Sequence, residues 1–449
     1  MLPLALTRPG MRLKLNTVRI CHRLLPRKCC LMTLVPDQMP SVPANEPSSE
    51  RQQEVSRTAR SSSRRWIFLS LFMVVLVVAA VWGRASLHAY RTSQFEVACR
   101  IAREDRNWTQ LQEVAEQWTA WDPEEAKGWW AAAEAAQEQD EFEAMAACLG
   151  RIPDTDPNLA FALAEKANLE WAALNRPMDA LATSERVIQL DPRLVETHSR
   201  VISFYAMNQQ RIPMLRAIRK AVDAGAEPRE AYTYLVMADV LAFTNGSELN
   251  ERWMQASPEE PRFKIGLAVN TAMRLVMNQE TSPTPEIIEL NNQAKQQISL
   301  FLKEFPHDPV ILTFLMNQAY RAGDIRRMEE LLAMVDHQGS EDHMIWVYRT
   351  WYHTQINELP AAEEAILEAL RLHPMSPLAH HEYANLLRLQ QRPEVAKEQR
   401  LAAYGRDLRS QLLLLPTAVD LTTALLVQIQ SYAEACGDSQ IAAAIGRRL

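Results

Sequence analysis

Apolar residues fall into two patterns along the chain. The first is one unbroken run from Trp66 to Gly83, eighteen residues without a charge, bounded by Arg64-Arg65 and Arg84. At 1.5 Å per residue such a helix reaches roughly 27 Å, enough to cross the hydrocarbon core of a bilayer. Trp66 and Trp82 stand at its edges, where indole rings favour the membrane interface. The run predicts one transmembrane helix over 66–83. Its length and the absence of an A-x-A site after it argue against a cleaved signal peptide.

The second pattern is amphipathic and periodic, and it starts at Phe95. A proline-containing turn recurs at Pro123, Pro157, Pro192, Pro306 and Pro374, at intervals of 34, 35, 114 and 68 residues. The last interval is two periods of 34 and the third is three periods plus twelve. Twelve, eight and five residues before these prolines stand Leu111, Ala115 and Trp118; Met145, Leu149 and Ile152; Ala180, Ser184 and Val187; Ala294, Ile298 and Phe301; and Ala362, Ile366 and Ala369. Spacings of four and three place each trio on one helical stripe. A second stripe precedes it, as in Phe95, Ala98 and Ala102, in Trp129, Ala132 and Ala136, and in Ala164, Ala167 and Trp171. Each unit therefore reads as two antiparallel helices of about a dozen residues, the second stopped by its proline.

The register is clear over 92–228 and 309–404. It is lost over 229–308, where Asn245-Gly246-Ser247 to Pro261 and Ser282-Pro-Thr-Pro285 predict longer loops. The C-terminal stretch 411–449 is apolar at Leu412–Leu415 and Leu421–Val427, but Pro416 and Asp420 interrupt it. It predicts buried capping helices rather than a second span. Residues 1–65 lack a sustained period, and Pro36 to Arg65 has the Pro, Ser, Glu, Gln and Arg content of a disordered segment. A basic stretch before it, RLKLNTVRICHRLLPRKCC, is amphipathic enough for a membrane surface, unless translation starts at Met32 or Met39 rather than Met1.

Composition sharpens this picture. Only 12 glycines in 449 residues argue against glycine-rich phosphate loops, doubly wound nucleotide folds and turn-rich all-β folds. Residues 1–83 carry 12 basic and 4 acidic side chains, leaving 36 basic and 51 acidic on the rest. So acidic a body speaks against nucleic acid as a partner, since phosphate contact needs clustered positive charge. Arg51, Arg57, Arg60, Arg64 and Arg65 precede the span against Arg84 and Arg91 after it. The positive-inside rule then keeps the basic tail in the cytoplasm and exports the body, as in a bacterial inner-membrane protein with a periplasmic domain. Six scattered cysteines make no disulfide scaffold, and the adjacent Cys29-Cys30 pair makes neither a zinc knuckle nor a redox motif.

No P-loop, G-x-G-x-x-G, G-x-S-x-G or H-E-x-x-H occurs, so the chain is expected to be non-catalytic, with no metal and no cofactor. Asp336-His337 with Glu341-Asp342-His343 is expected to be a solvated link between repeats, and His380-His381-Glu382 to open a helix, His381 towards a groove.

The 34-residue period, with Phe95–Pro123, Ala164–Pro192, Ala319-Tyr320-Arg-Ala-Gly323-Asp324 and Tyr383-Ala384…Ala396…Ala403, resembles the tetratricopeptide repeat (TPR) family over roughly 92–410. The resemblance implies an all-α fold: a right-handed α-α superhelix of about nine helix pairs after one transmembrane helix. The domain order would be a tail (1–65), the span (66–83), the array (84–410, irregular over 229–308) and capping helices (411–449). It further implies a concave groove lined by the first helix of each unit, which holds a protein or peptide partner. By register that groove carries Phe314, Asn317, Tyr320, Arg321, Tyr348, Trp351, Asn385 and Arg388. The Lys/Asn/Lys/Arg clamp of chaperone-tail-binding members is not reproduced. The implied role is a membrane-anchored protein–protein interaction scaffold; an assembly factor or chaperone for exported proteins is the alternative.

Overall fold

The computed structural model describes residues 59–241, 243, 245–277, 284–337 and 339–449, with side chains from Ser70 onward except those of 274–277. The tail expected over 1–58 lies outside the described residues, as does the Ser282-Pro283 turn. Two units are separable, one ending at Arg100 and one running from Ile101 to Leu449.

The first unit contributes helix α1, Ala59–Glu104, which continues into the second for its last turn. Side chains from Leu71 to Val81 are exposed all round this helix. It is the one helix among the described residues long and apolar enough to cross a membrane. Residues 59–65, read from the sequence as tail, are its first turns.

The second unit is built from helices alone among its described residues: α2 (Trp108–Trp121), α3 (Ala126–Glu138), α4 (Phe142–Leu149), α5 (Leu159–Ala172), α6 (Pro177–Leu190), α7 (Val195–Met207), α8 (Arg211–Asp223), α9 (Glu230–Val236), α10 (Gly246–Ala256), α11 (Pro261–Met277), α12 (Pro285–Glu304), α13 (Pro309–Ala322), α14 (Ile325–Leu332), α15 (His343–Gln355), α16 (Leu359–Leu372), α17 (Pro377–Leu389), α18 (Val395–Leu413), α19 (Thr423–Cys436) and α20 (Ser439–Gly446).

The periodic prolines act where the sequence places them. Asp122, Asp191, Phe305 and His373 each end a helix, donate their N–H to the carbonyl four residues back, and stand directly before a proline. Their φ/ψ lie near −139/86, −136/96, −126/69 and −146/89, because a following proline ring excludes the helical region. Helix α4 departs from the beat and stops at Leu149, since Pro153 arrives four residues before Pro157.

A second beat runs through the turns inside the pairs. Arg106, Asp140, Asn175, Gln209, Gly323, Asn357 and Gln391 all have positive φ, at steps of 34 or 35 residues except for the gap from 209 to 323. Each places one left-handed residue after the first helix of a pair, the usual way of closing a helix C-terminus. Six of the seven carry a side chain there, held by the packing of the pair.

Where the register fails, the chain remains helical. Residues 246–256, expected as loop, form α10, because Gly246 and Gly266 let α10 and α11 cross closely. A Cβ on Gly246 would lie 2.4 Å from the Asn270 amide oxygen, and one on Gly266 2.4 Å from that of Asn250. Both asparagine amides donate to the Met207 carbonyl at the end of α7, each at 2.8 Å. This small-residue contact has no 34-residue period, so it left no trace in the repeat pattern.

The C-terminal helices do more than cap the last repeat. They pack on α8 and α9, so one core joins Trp171, Phe204, Tyr232 and Leu241 to Leu408, Leu426, Tyr432 and Ile445. Arg219 donates to Asp438 at 2.8 Å, Arg448 to Glu227 at 2.9 Å, and Thr233 to the Ala418 carbonyl at 2.9 Å. The array thus folds back on its own middle.

Candidate functional site

The residues selected from the groove register occupy the first helices α13, α15 and α17. Tyr320 is the hinge of the group. Its ring lies 5.9 Å from that of Tyr348 and 5.6 Å, edge to face, from Trp351. Its hydroxyl donates to the Glu382 carboxylate at 2.6 Å, linking α13 to α17 across α15. Burial raises the Tyr320 hydroxyl pKa, and the nearby negative charge of Glu382 raises it further. Asn317 donates its amide to the Tyr348 hydroxyl at 2.9 Å. Arg388 donates to the Asn385 side chain at 3.3 Å, and His381 lies against the same asparagine.

Tyr348 and Trp351 are buried, 2% and 8% exposed, so they form the floor of this strip and offer little contact area. Phe314, Asn317, Tyr320 and Asn385 are half-buried, and Arg321 and Arg388 are exposed. The result is a locked polar and aromatic strip with two exposed guanidinium groups at its rim, one of them bonded to Asn385. Tyr320→Phe should cost about 1–3 kcal/mol, because it leaves the buried Glu382 carboxylate without its donor; urea unfolding of the purified chain reads this directly.

A second cluster was not selected from the sequence. Asp239, His343 and His373 are 5%, 1% and 1% exposed. His343 Nε2 bonds Asp239 Oδ1 at 2.9 Å, and the Leu378 backbone N–H donates to Asp239 Oδ2 at 2.9 Å. The two imidazole centroids are 4.7 Å apart. One donor atom from each of the three side chains lies within 4.8 Å of the others, close enough to hold a metal ion. Burial opposes ionisation of Asp239, but the hydrogen bond and charge of His343 and the Leu378 N–H outweigh it and hold the carboxyl well below the usual range. Burial, with the charge of His343 added, lowers the His373 pKa well below that of a free imidazole.

The link 336–343, expected to be solvated, is therefore wet only in part. His337 is exposed, while Asp342 and His343 are buried because Arg211 and Asp239 come across from α8 and the stretch after α9 to meet them. The other histidine cluster divides as well. His380 is buried between Glu398 and the Pro374 carbonyl at 2.6 and 2.8 Å, and His381 alone reaches the strip. Asp239 lies 104 residues from His343 in a stretch without repeat register, so no spacing in the sequence announced the cluster.

No family model matches the chain, and no curated protein matches it. Among solved structures, it is similar to a tetratricopeptide repeat protein from Parabacteroides merdae, at 10% identity and a TM-score of 0.27, over 58% of this chain and 98% of that one. It is also similar to the APC/C hetero-tetramer Cut9-Hcn1, at 12% identity and a TM-score of 0.26, over 78% and 77% of the two chains. Among the described residues the regular elements are all helices, consistent with the tetratricopeptide repeat. Superpositions this loose carry no argument about function; the TPR-like character rests on the two 34-residue beats and the antiparallel pairs.

Proposed function

We propose that the chain is a membrane-anchored interaction scaffold, non-catalytic in itself, that binds a protein or peptide along the strip on α13, α15 and α17. The observation that carries this reading is the combination at that strip of a fixed floor and an adaptable rim. Tyr320, Tyr348 and Trp351 are immobilised by one another and by Glu382, so little conformational freedom is lost when a partner settles on them. Arg321 and Arg388 then reach carboxylates or backbone carbonyls of the partner. The apolar helix α1 supplies the anchor, and the charge imbalance around it orients the tail to the cytoplasm and the array to the exported side.

The expected result is membrane-pellet recovery of the full chain, loss of that recovery when 66–83 is removed, and an exported signal from a reporter fused to the C-terminus. In-cell crosslinking should capture a defined set of proteins that an Arg321→Ala/Arg388→Ala variant loses. Both positions are exposed, so the variant's stability should stay within about 0.5 kcal/mol of the parent. Unchanged capture by this variant would remove the strip from the reading. A broad smear of unfolded exported proteins would replace the scaffold with a chaperone, and a cytoplasmic C-terminus would overturn the topology.

A further inference from the structure

The geometry points to a structural site for a divalent first-row metal ion of the zinc type at Asp239, His343 and His373. Two imidazoles and one carboxylate are a donor set this class of ion prefers. Three features of the cluster support the assignment beyond the residue types.

The first is unmet bonding. His343 Nδ1 and both ring nitrogens of His373 are buried without a hydrogen-bond partner among the described residues. Each buried polar atom left in this state costs free energy. By contrast, the buried His380 has both ring nitrogens engaged, and the buried His198 bonds the Pro192 carbonyl through Nε2 at 2.8 Å. The second feature is charge. Asp239 and Asp342 are both buried here, and a single guanidinium, Arg211, is bonded to Asp342 at 2.6 Å. Asp239 has no Arg or Lys partner among the described residues and faces only the two histidines. A metal ion between the three side chains engages Asp239 and His373 at once.

The third feature is the outer shell. Asp239 Oδ2 is already held by the Leu378 N–H, which leaves Oδ1 for the ion. Coordination through His343 Nε2 moves the ring proton to Nδ1, on the side of Asp342, whose Oδ1 is 3.9 Å away. A small ring movement on loading would bring this Nδ1–H within hydrogen-bond reach of Asp342, the arrangement in which a carboxylate fixes the tautomer of a ligating histidine. The donor atoms lie within 4.8 Å of one another, with His343 Nε2 and Asp239 Oδ1 at 2.9 Å, against the roughly 3.4 Å edge of a tetrahedral zinc site with 2.0–2.1 Å bonds, so loading adjusts these spacings.

The placement states what the ion is for. Asp239 belongs to the stretch after α9, His343 opens α15 and His373 ends α16. An ion here staples the middle of the array to its C-terminal half, at the seam where the chain folds back.

The test uses the full, untagged chain in detergent, stripped with chelator and titrated with Zn²⁺ and with Co²⁺. One equivalent should bind, and melting should rise by about 2–4 °C at a hundredfold excess over Kd. Bound Co²⁺ should give the intense visible bands of low coordination without a thiolate charge-transfer band. His373→Phe, which keeps an aromatic ring and breaks no hydrogen bond among the described residues, should melt close to the chelated parent and bind at least a hundredfold more weakly. No binding by the parent, equal binding by His373→Phe, or a thiolate band would each overturn the site. Zinc X-ray absorption of the parent decides the matter should the variant fail to fold: two imidazoles support the site, and one or none excludes it.

Discussion

Arg211→Ala should destabilise the helical body by about 3–5 kcal/mol, the usual cost of removing one partner from a buried ion pair. The Arg211 side chain is 9% exposed and that of Asp342 3%. Its Nη1 donates to the Asp342 carboxylate and its Nε to the Ala238 carbonyl, both at 2.6 Å. One guanidinium therefore fastens α8, the stretch after α9 and the start of α15. Alanine leaves a buried carboxylate with no cation and a buried carbonyl with no donor. Lysine should recover only part of the loss, since a single ammonium cannot reproduce a fork aimed at two acceptors. Replacing both partners, as Arg211→Met with Asp342→Leu, should return much of the stability, because the uncompensated charge is then gone. Urea unfolding of the parent, Arg211→Met, Asp342→Leu and the double variant measures the coupling. A shift below about 0.5 kcal/mol for the single Arg211→Ala variant would mean that the pair is solvated and that the seam is held elsewhere.

The sequence carried the repeat because prolines and small apolar residues act locally. Pro123, Pro192, Pro306 and Pro374 stop their helices through their own rings, and the residue ahead of each is forced extended whatever surrounds it. The turns within the pairs were invisible for the opposite reason. Arg106, Asp140, Asn175 and Gln209 take the left-handed conformation that glycine marks at Gly323, because the packed pair imposes it. The eight residues taken from the groove register lie on three neighbouring helices, α13, α15 and α17, but periodicity cannot separate floor from rim. Tyr348 is buried in a core that draws side chains from Ile265 to Leu386, a span no single repeat reports. Contacts of still longer range assemble Asp239, His343 and His373. Fold-back contacts of this kind join positions with no shared period, and single-sequence patterns are silent about them.

Truncation after Cys436 should therefore be far more damaging than the loss of a terminal cap from an open array. Helix α20 buries Ile441 and Ile445 completely, and removing them forfeits roughly 3–6 kcal/mol of burial at the usual value for a large aliphatic side chain. The deletion also removes Arg448, the cationic partner of Glu227. That carboxylate is 2% exposed, and Tyr232 would remain its one donor among the described contacts. Arg219 in turn loses Asp438. In an open solenoid such damage stays beside the missing repeat, because each unit contacts only its neighbours. Here the expected result is faster amide exchange in α8 and α9, some 200 residues upstream, together with a lower melting temperature for the whole body. Protection should persist in α3 to α5, whose core of Ala133, Leu149, Leu163 and neighbouring residues does not include the C-terminal helices. Loss confined to α17 to α19 would show that the fold-back contributes nothing to the stability of the middle. Loss in α8 and α9 with α3 to α5 intact would make the C-terminus a clasp on the middle of the array, at the seam that Arg211 and the Asp239 cluster also hold.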